Sequence, residues 1–254
     1  MRLLGLGIVV QILVCTVVGT RLILLWRRTR KAPELAYGCA FLLLGAIGFP
    51  LSIPPRTGLV EGTLAGVLLA SAFAAQNGAS LAIGIATWKT FRPGVGWLAP
   101  ALLGFGLLFA VSLVGQQLEV GFGGGRDDGW FYHLGLLLRF SAFVWTCAES
   151  FRYHAALRRR LALGLADPVV TDRVRLWAFA SLAICFGFAV FLAGRILTPN
   201  AAGSPWVLSV TSCVALASSV AMTLAFFPPK AYLRRVARAA AAGGSSDPPP
   251  LGAR

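Results

Sequence analysis

Residues 3–26 read LLGLGIVVQILVCTVVGTRLILLW and run straight into Arg27-Arg28-Thr29-Arg30-Lys31. A helix needs about 20 mostly apolar residues to cross the hydrocarbon core of a bilayer. This stretch has that length. It ends on a tryptophan followed by a basic cluster, as a helix end at a cytoplasmic membrane surface does. It begins Met1-Arg2, and its apolar run is longer than the core of a simple cleaved leader, so it is expected to be a retained first membrane helix.

Six more stretches of bilayer length follow, at 35–53, 63–88, 95–118, 130–150, 174–196 and 205–227. The composition agrees: 57% of the 254 residues are hydrophobic, only 13% are charged, and the charges cluster between the apolar runs. The mean hydropathy is +0.76. A soluble domain builds its core from far less apolar sequence, and charge is costly in hydrocarbon. Trp26, Trp88, Trp97, Trp130, Trp177 and Trp206 all fall near expected helix ends, as an interfacial belt requires; Trp145 lies deeper.

Loop charge sets the expected orientation. The first, third and fifth connections and the C-terminal tail hold 17 of the 23 basic residues, including Arg27, Arg28, Lys89, Arg92, Arg158, Arg159, Arg160, Arg173, Arg234 and Arg235. The opposite segments hold Arg2, Arg56 and Arg126, with Arg195 near a helix end. Positive loops stay inside, so the expectation is an odd number of spans with the N-terminus out and the C-terminus in. The net charge of +14 faces lipid headgroups on this reading, and nucleic acid is not an expected partner. Arginine outnumbers lysine 20 to 3 among many alanines and glycines, which points to a GC-rich bacterial genome and hence to an inner-membrane location.

The chain divides at 229. Residues 1–229 form the membrane domain. Pro228-Pro229 stops the last helix; 230–242 reads as a short basic amphipathic helix on the inner leaflet, and the tail to 254 reads as disordered. In the connection 151–173 the fifth helix is expected to continue through Arg160 to Gly164. Asp167 then caps a sixth helix that has Pro168 at its first position. Along the third helix Gly66, Ala70, Ala74, Gly78, Ala82 and Ala86 recur every four residues, a ridge of small side chains expected to admit a close neighbour.

Polar residues at membrane depth are the candidate site. Arg139 follows Trp130 by nine residues, which puts it about 14 Å deep. A central arginine costs roughly 2.5–3.5 kcal/mol on insertion scales, so it is expected to face the bundle interior. Phe143, Thr146, Ser150 and Tyr153 share its side of the helix. Glu149 sits on the same helix, about 15 Å away along the axis and off that face, out of reach. Gln76 and Asn77 of the third helix lie at similar depth and offer amide oxygens as acceptors. Two readings stand: a hydrogen-bonded cluster that holds two helices together, or an anion-accepting cavity in which Arg139 supplies the charge and the amides set orientation. Thr146 and Ser150 complete the candidate ligand set.

Several classes are disfavoured. The last span has no lysine for a retinal Schiff base, since Lys230 follows the double proline. The only histidines, His133 and His154, lie at opposite ends of one helix, so neither a zinc hydrolase nor bis-histidine haem ligation between helices is expected. Cys15, Cys39, Cys147, Cys185 and Cys213 sit within apolar runs without a CxxC pair and read as small buried hydrophobes. Asn77-Gly78-Ala79-Ser80 is similar to the rhomboid serine region, but no deep histidine accompanies it. No Walker or dinucleotide motif is present, and no cofactor or metal is expected.

The segments 27–35 (RRTRKAPEL), 158–170 (RRRLALGLADPVV) and 226–235 (FFPPKAYLRR) resemble an uncharacterised bacterial family of seven-helix membrane proteins. The likeness covers most of the chain and implies no activity. The sequence therefore leads to an all-α integral membrane bundle of seven helices, N-out and C-in. The expected role is a non-enzymatic receptor-like or accessory signalling module that binds a small or lipid-like ligand between helices three and five and acts through a protein partner. The alternative is a small-solute transporter using the same polar cavity.

Overall fold

A computed structural model describes residues 6–121, 129–197 and 205–243, with backbone alone at 195, 196, 205 and 237–243. Arg2, Arg126, Arg254 and the expected tail beyond 243 lie outside the described residues, as do the side chains of Arg195 and Arg238.

The described chain is helical, and seven of its helical segments are long and apolar enough to cross a membrane. They are α1 (Leu6–Thr29), α2 (Ala32–Arg56), α3 (Gly62–Phe91), α4 (Leu98–Glu119), α5 (Trp130–Ala162), α6 (Pro168–Leu197) and α7 (Pro205–Phe226). A short helix, α8 (Lys230–Gly243), follows and packs on α6. The order of packing is α1–α2–α3–α5–α6–α7 and back to α1, with α4 laid outside against α3 and α5. Leu103, Leu107, Val111, Val114 and Leu118 make the free side of α4 an exposed apolar strip. Such a strip would drive aggregation in water, whereas lipid solvates it.

Lipid tails are as apolar as leucine, so helices in a bilayer associate through close packing and hydrogen bonds. The α1–α2 seam shows this most clearly. Gly19 lies against Leu42, Gly38 against Ile23, and Gly45 against Ile12, Cys15 and Thr16. Above the seam, Cys15, Val18 and Leu22 of α1 meet Phe41, Ala180 and Met222 in one core cluster. The bundle's middle is filled by Ala40, Ile83, Phe143 and Cys185, one from each of α2, α3, α5 and α6.

The expected small-residue ridge on α3 does not form one contact surface. Gly66, Gly78 and Ala82 are half-buried, Ala74 is exposed and Ala86 is buried. A spacing of four overshoots the 3.6-residue turn by about 40° per step, so six residues wind well around the helix. The residues α3 buries cover a broad side of the helix instead: Ala65, Leu69, Ala72, Phe73, Ala75, Asn77, Ala79, Ser80, Ile83, Gly84, Ala86 and Thr87.

Two breaks in the helical ladder have visible causes. Within α2 the stretch Leu43–Gly48 is a π-helix, closed by the Phe49 amide donating to the Leu44 carbonyl. Pro50 follows it; proline cannot donate to the carbonyl four residues back, and the ladder widens just ahead of it. After α7, Pro228 and Pro229 supply no amide hydrogens, which leaves carbonyls at its end without helical partners. Arg173 Nε donates to the Ala225 carbonyl at 2.7 Å and Arg21 to the Phe226 carbonyl at 2.7 Å. The Arg21 guanidinium also lies 4.3 Å from the centre of the Phe227 ring. At the start of α6, Asp167 acts as the sequence suggests: its Oδ1 accepts from the Val169 amide at 2.7 Å and the helix opens on Pro168.

Candidate functional site

Arg139 is 5% exposed. Its NH1 donates to Gln76 Oε1 at 2.8 Å, and Gln76 Nε2 donates to the Gly48 carbonyl at 3.4 Å. The chain of bonds thus links α5 to α3 and α3 to the π-helical turn of α2. Gly48 is needed there, because a Cβ at that position would fall 2.9 Å from Gln76 Cγ. The Arg139 guanidinium also lies 5.4 Å from the centre of the Phe73 ring. A desolvated cation–π contact is worth about 2 kcal/mol and an interhelical hydrogen bond about 0.6–2 kcal/mol. Together these are of the same size as the cost of burying the cation.

The other candidate residues divide. Thr146 and Ser150 are wholly buried, and their hydroxyls turn onto their own helix, donating to the carbonyls of Ala142 at 2.9 Å and Thr146 at 2.6 Å. Thr146 Oγ1 also lies 2.7 Å from Thr87 Oγ1, a direct α3–α5 bond that the sequence did not single out. Asn77 does not share the Arg139–Gln76 network; its Oδ1 is buried without a hydrogen-bond partner. Adjacent residues on a helix point about 100° apart, so Gln76 and Asn77 cannot both face one guanidinium.

Glu149 is 8% exposed. It pairs across to Arg92 just past the end of α3, with Nε donating to Oε2 at 3.1 Å and NH2 to Oε1 at 3.0 Å. Arg152 adds a longer contact at 3.8 Å. The fork geometry makes this a specific clamp between α3 and α5 at the basic end of the bundle. Hydrogen bonding to Glu149 holds Arg92 protonated still further above its usual range. In the sequence Arg92 reads only as one of the basic residues of the third connection. Beside it, Phe91 packs at 5.4 Å on Tyr153 of α5.

Gln11 accepts from Ser219 at 2.6 Å, an α1–α7 contact. His133 bonds the Gly129 carbonyl at the start of α5, and His154 the Thr171 carbonyl near the start of α6.

A separate feature lies on the outside of the α3–α5 interface. An apolar cleft of about 350 Å³ opens between α4 and α5 with α3 as its floor. Gly84, Trp97, Leu102, Phe105, Ser141 and Trp145 line it. Ser141 turns its hydroxyl onto the Leu138 carbonyl, so the wall offers little polarity. The deep Trp145 is explained by this cleft, where it forms part of a wall. The arrangement can hold an apolar chain or ring.

The fold and these sites define a multi-pass helical membrane protein. Compared with protein-family models, curated proteins and solved structures, the chain matches none.

Proposed function

We propose that the chain is a non-enzymatic, receptor-like or accessory signalling module of a bacterial inner membrane, oriented N-out and C-in. It takes a lipid-like ligand in the cleft between α4 and α5, over the outer edge of the α3–α5 interface. The observation that carries this reading is the 350 Å³ apolar cleft floored by Gly84 of α3 and walled by Trp145 of α5. Ligand pockets of about 300–1,000 Å³ with mostly apolar walls are the usual size for small molecules. Behind the cleft the Thr87–Thr146 bond and the Arg92–Glu149 clamp join the same two helices. A ligand that changes their spacing would be felt at the basic end, where a partner protein would read it. The sequence resemblance to a bacterial seven-helix family agrees with this location.

The test uses a fatty acid brominated along its chain, added to the protein in detergent micelles. Quenching of tryptophan fluorescence should saturate, and Ala101→Phe, which fills the cleft, should abolish the saturable part. Quenching that is linear in concentration, or equal in the variant, overturns the proposal.

A transporter is the second reading, favoured by the polar run from Arg139 and Gln76 through Thr87 and Thr146 to Glu149 and Arg92 along one interface. Solute accumulation in proteoliposomes that vanishes in Arg139→Ala would establish it in place of the receptor.

A further inference from the structure

Helix α8 has two faces. At 100° per residue, Tyr232, Leu233 and Val236 gather on one side and are half-buried, whereas Lys230, Ala231, Arg234 and Arg235 point the other way and are exposed. The buried side rests on α6, where the Tyr232 hydroxyl donates to Asp172 Oδ2 and Arg175 pairs with the same carboxylate. Asp172 is 9% exposed, so this anchor is largely shielded from solvent.

The outward side has no such partner. Lys230, Arg234 and Arg235 form no ion pair among the described residues. Their surroundings add to the problem, because Arg27, Arg28, Arg158, Arg159 and Arg160 are exposed at the same end of the bundle. Like charges repel, so anions between them would add to the hold on a basic helix at this end. The link Phe227-Pro228-Pro229 is three residues long and can span at most about 11 Å. Helix α8 therefore begins beside the point where α7 leaves the bilayer. The anions within its reach are phospholipid headgroups.

We propose that α8 is an arm that binds anionic phospholipid: the Tyr232–Asp172 hydrogen bond seats it on α6, and Lys230, Arg234 and Arg235 take headgroup phosphates of the adjoining leaflet. The proposal does not depend on what occupies the cleft. The seat is indifferent to lipid charge, whereas the grip on headgroups depends on lipid charge and weakens with salt.

The experiment is amide hydrogen exchange over 230–236 in the full chain, reconstituted in nanodiscs of neutral phosphatidylcholine or of phosphatidylcholine with phosphatidylglycerol. Each basic residue near an anionic surface contributes about fivefold, so protection should be higher in the anionic discs. R234Q/R235Q should lower it there by about 25-fold and leave the neutral discs unchanged. High salt should act as the double substitution does. Y232F should lower protection by the same factor in both discs, because the seat is indifferent to lipid charge. Equal protection of the native chain in the two discs, or no effect of R234Q/R235Q, overturns the proposal. Protection conferred by an acidic polypeptide and not by phosphatidylglycerol overturns it too, and assigns the face to a protein.

Discussion

A methyl group at Gly45 would have no room. Its Cβ would lie 2.7 Å from Cys15 Cβ and 2.9 Å from both the Ile12 carbonyl oxygen and the Thr16 amide nitrogen. Two of these three atoms are backbone, so no side-chain rotation relieves the contact. Helices α1 and α2 must part by about half an ångström, and overpacking of this kind costs about 1–3 kcal/mol. Alanine also gains about 0.5–1 kcal/mol over glycine inside a helix. That gain can be measured separately at Gly104 on α4, where an added Cβ meets nothing within 4 Å. The difference between Gly45→Ala and Gly104→Ala then isolates the clash. At about 2–4 °C per kcal/mol for a chain of this size, Gly45→Ala should unfold roughly 2–12 °C below Gly104→Ala. Thermal unfolding followed by tryptophan fluorescence, with both variants in the same micelles, reads it. A Gly45→Ala protein as stable as Gly104→Ala would refute the close α1–α2 seam and the packing argument built on it.

Other outcomes follow from the same structure. Gln76→Leu should destabilise the bundle more than Arg139→Leu, since the first takes the Gln76 acceptor from a guanidinium that stays buried while the second removes the buried charge altogether; thermal unfolding ranks them, and the reverse order would count against the Arg139–Gln76 bond. Burial, reinforced by Asp172, pushes the Tyr232 hydroxyl above its ordinary value of 10.0, with Arg175 opposing. A raised folded value means the contact is fully present below pH about 10 and is lost as pH rises through the folded value. The protection of α8 relative to an unstructured chain at the same pH should therefore fall in strong alkali in the native chain, whereas in Y232F, which lacks the titrating hydroxyl, this step should be absent. Reporter fusions after Arg56 should be active only outside the cytoplasm and fusions after Gly164 only inside; a cytoplasmic signal at Arg56 would reverse the proposed orientation.

The seven spans were legible because each has its own apolar length, and six of them have a tryptophan near an end. Asp167-Pro168 was equally local, a cap and a first-turn proline that need no tertiary partner. Arg139 was also legible as a buried charge, because a deep arginine must turn inward whatever surrounds it. What failed to appear in the sequence depends on how helices are rotated against one another. The period-four stripe on α3 looked continuous in one dimension yet winds around the helix, so Ala74 faces outward. Gln76 and Asn77 were equivalent as neighbours in sequence and are separated by the turn angle. Glu149 was correctly kept away from Arg139, but its partner Arg92 had been assigned to a loop. The cleft could not be read at all, since it arises where α4 and α5 fail to close over Gly84.

The central claim, a lipid-like ligand held in the cleft between α4 and α5, is tested most directly by native mass spectrometry of the protein purified from its own membranes. The account predicts a bound lipid-like molecule in one-to-one ratio that survives detergent exchange, and its loss from Ala101→Phe without loss of thermal stability. An identical mass profile for both proteins, or no retained molecule in either, would contradict it.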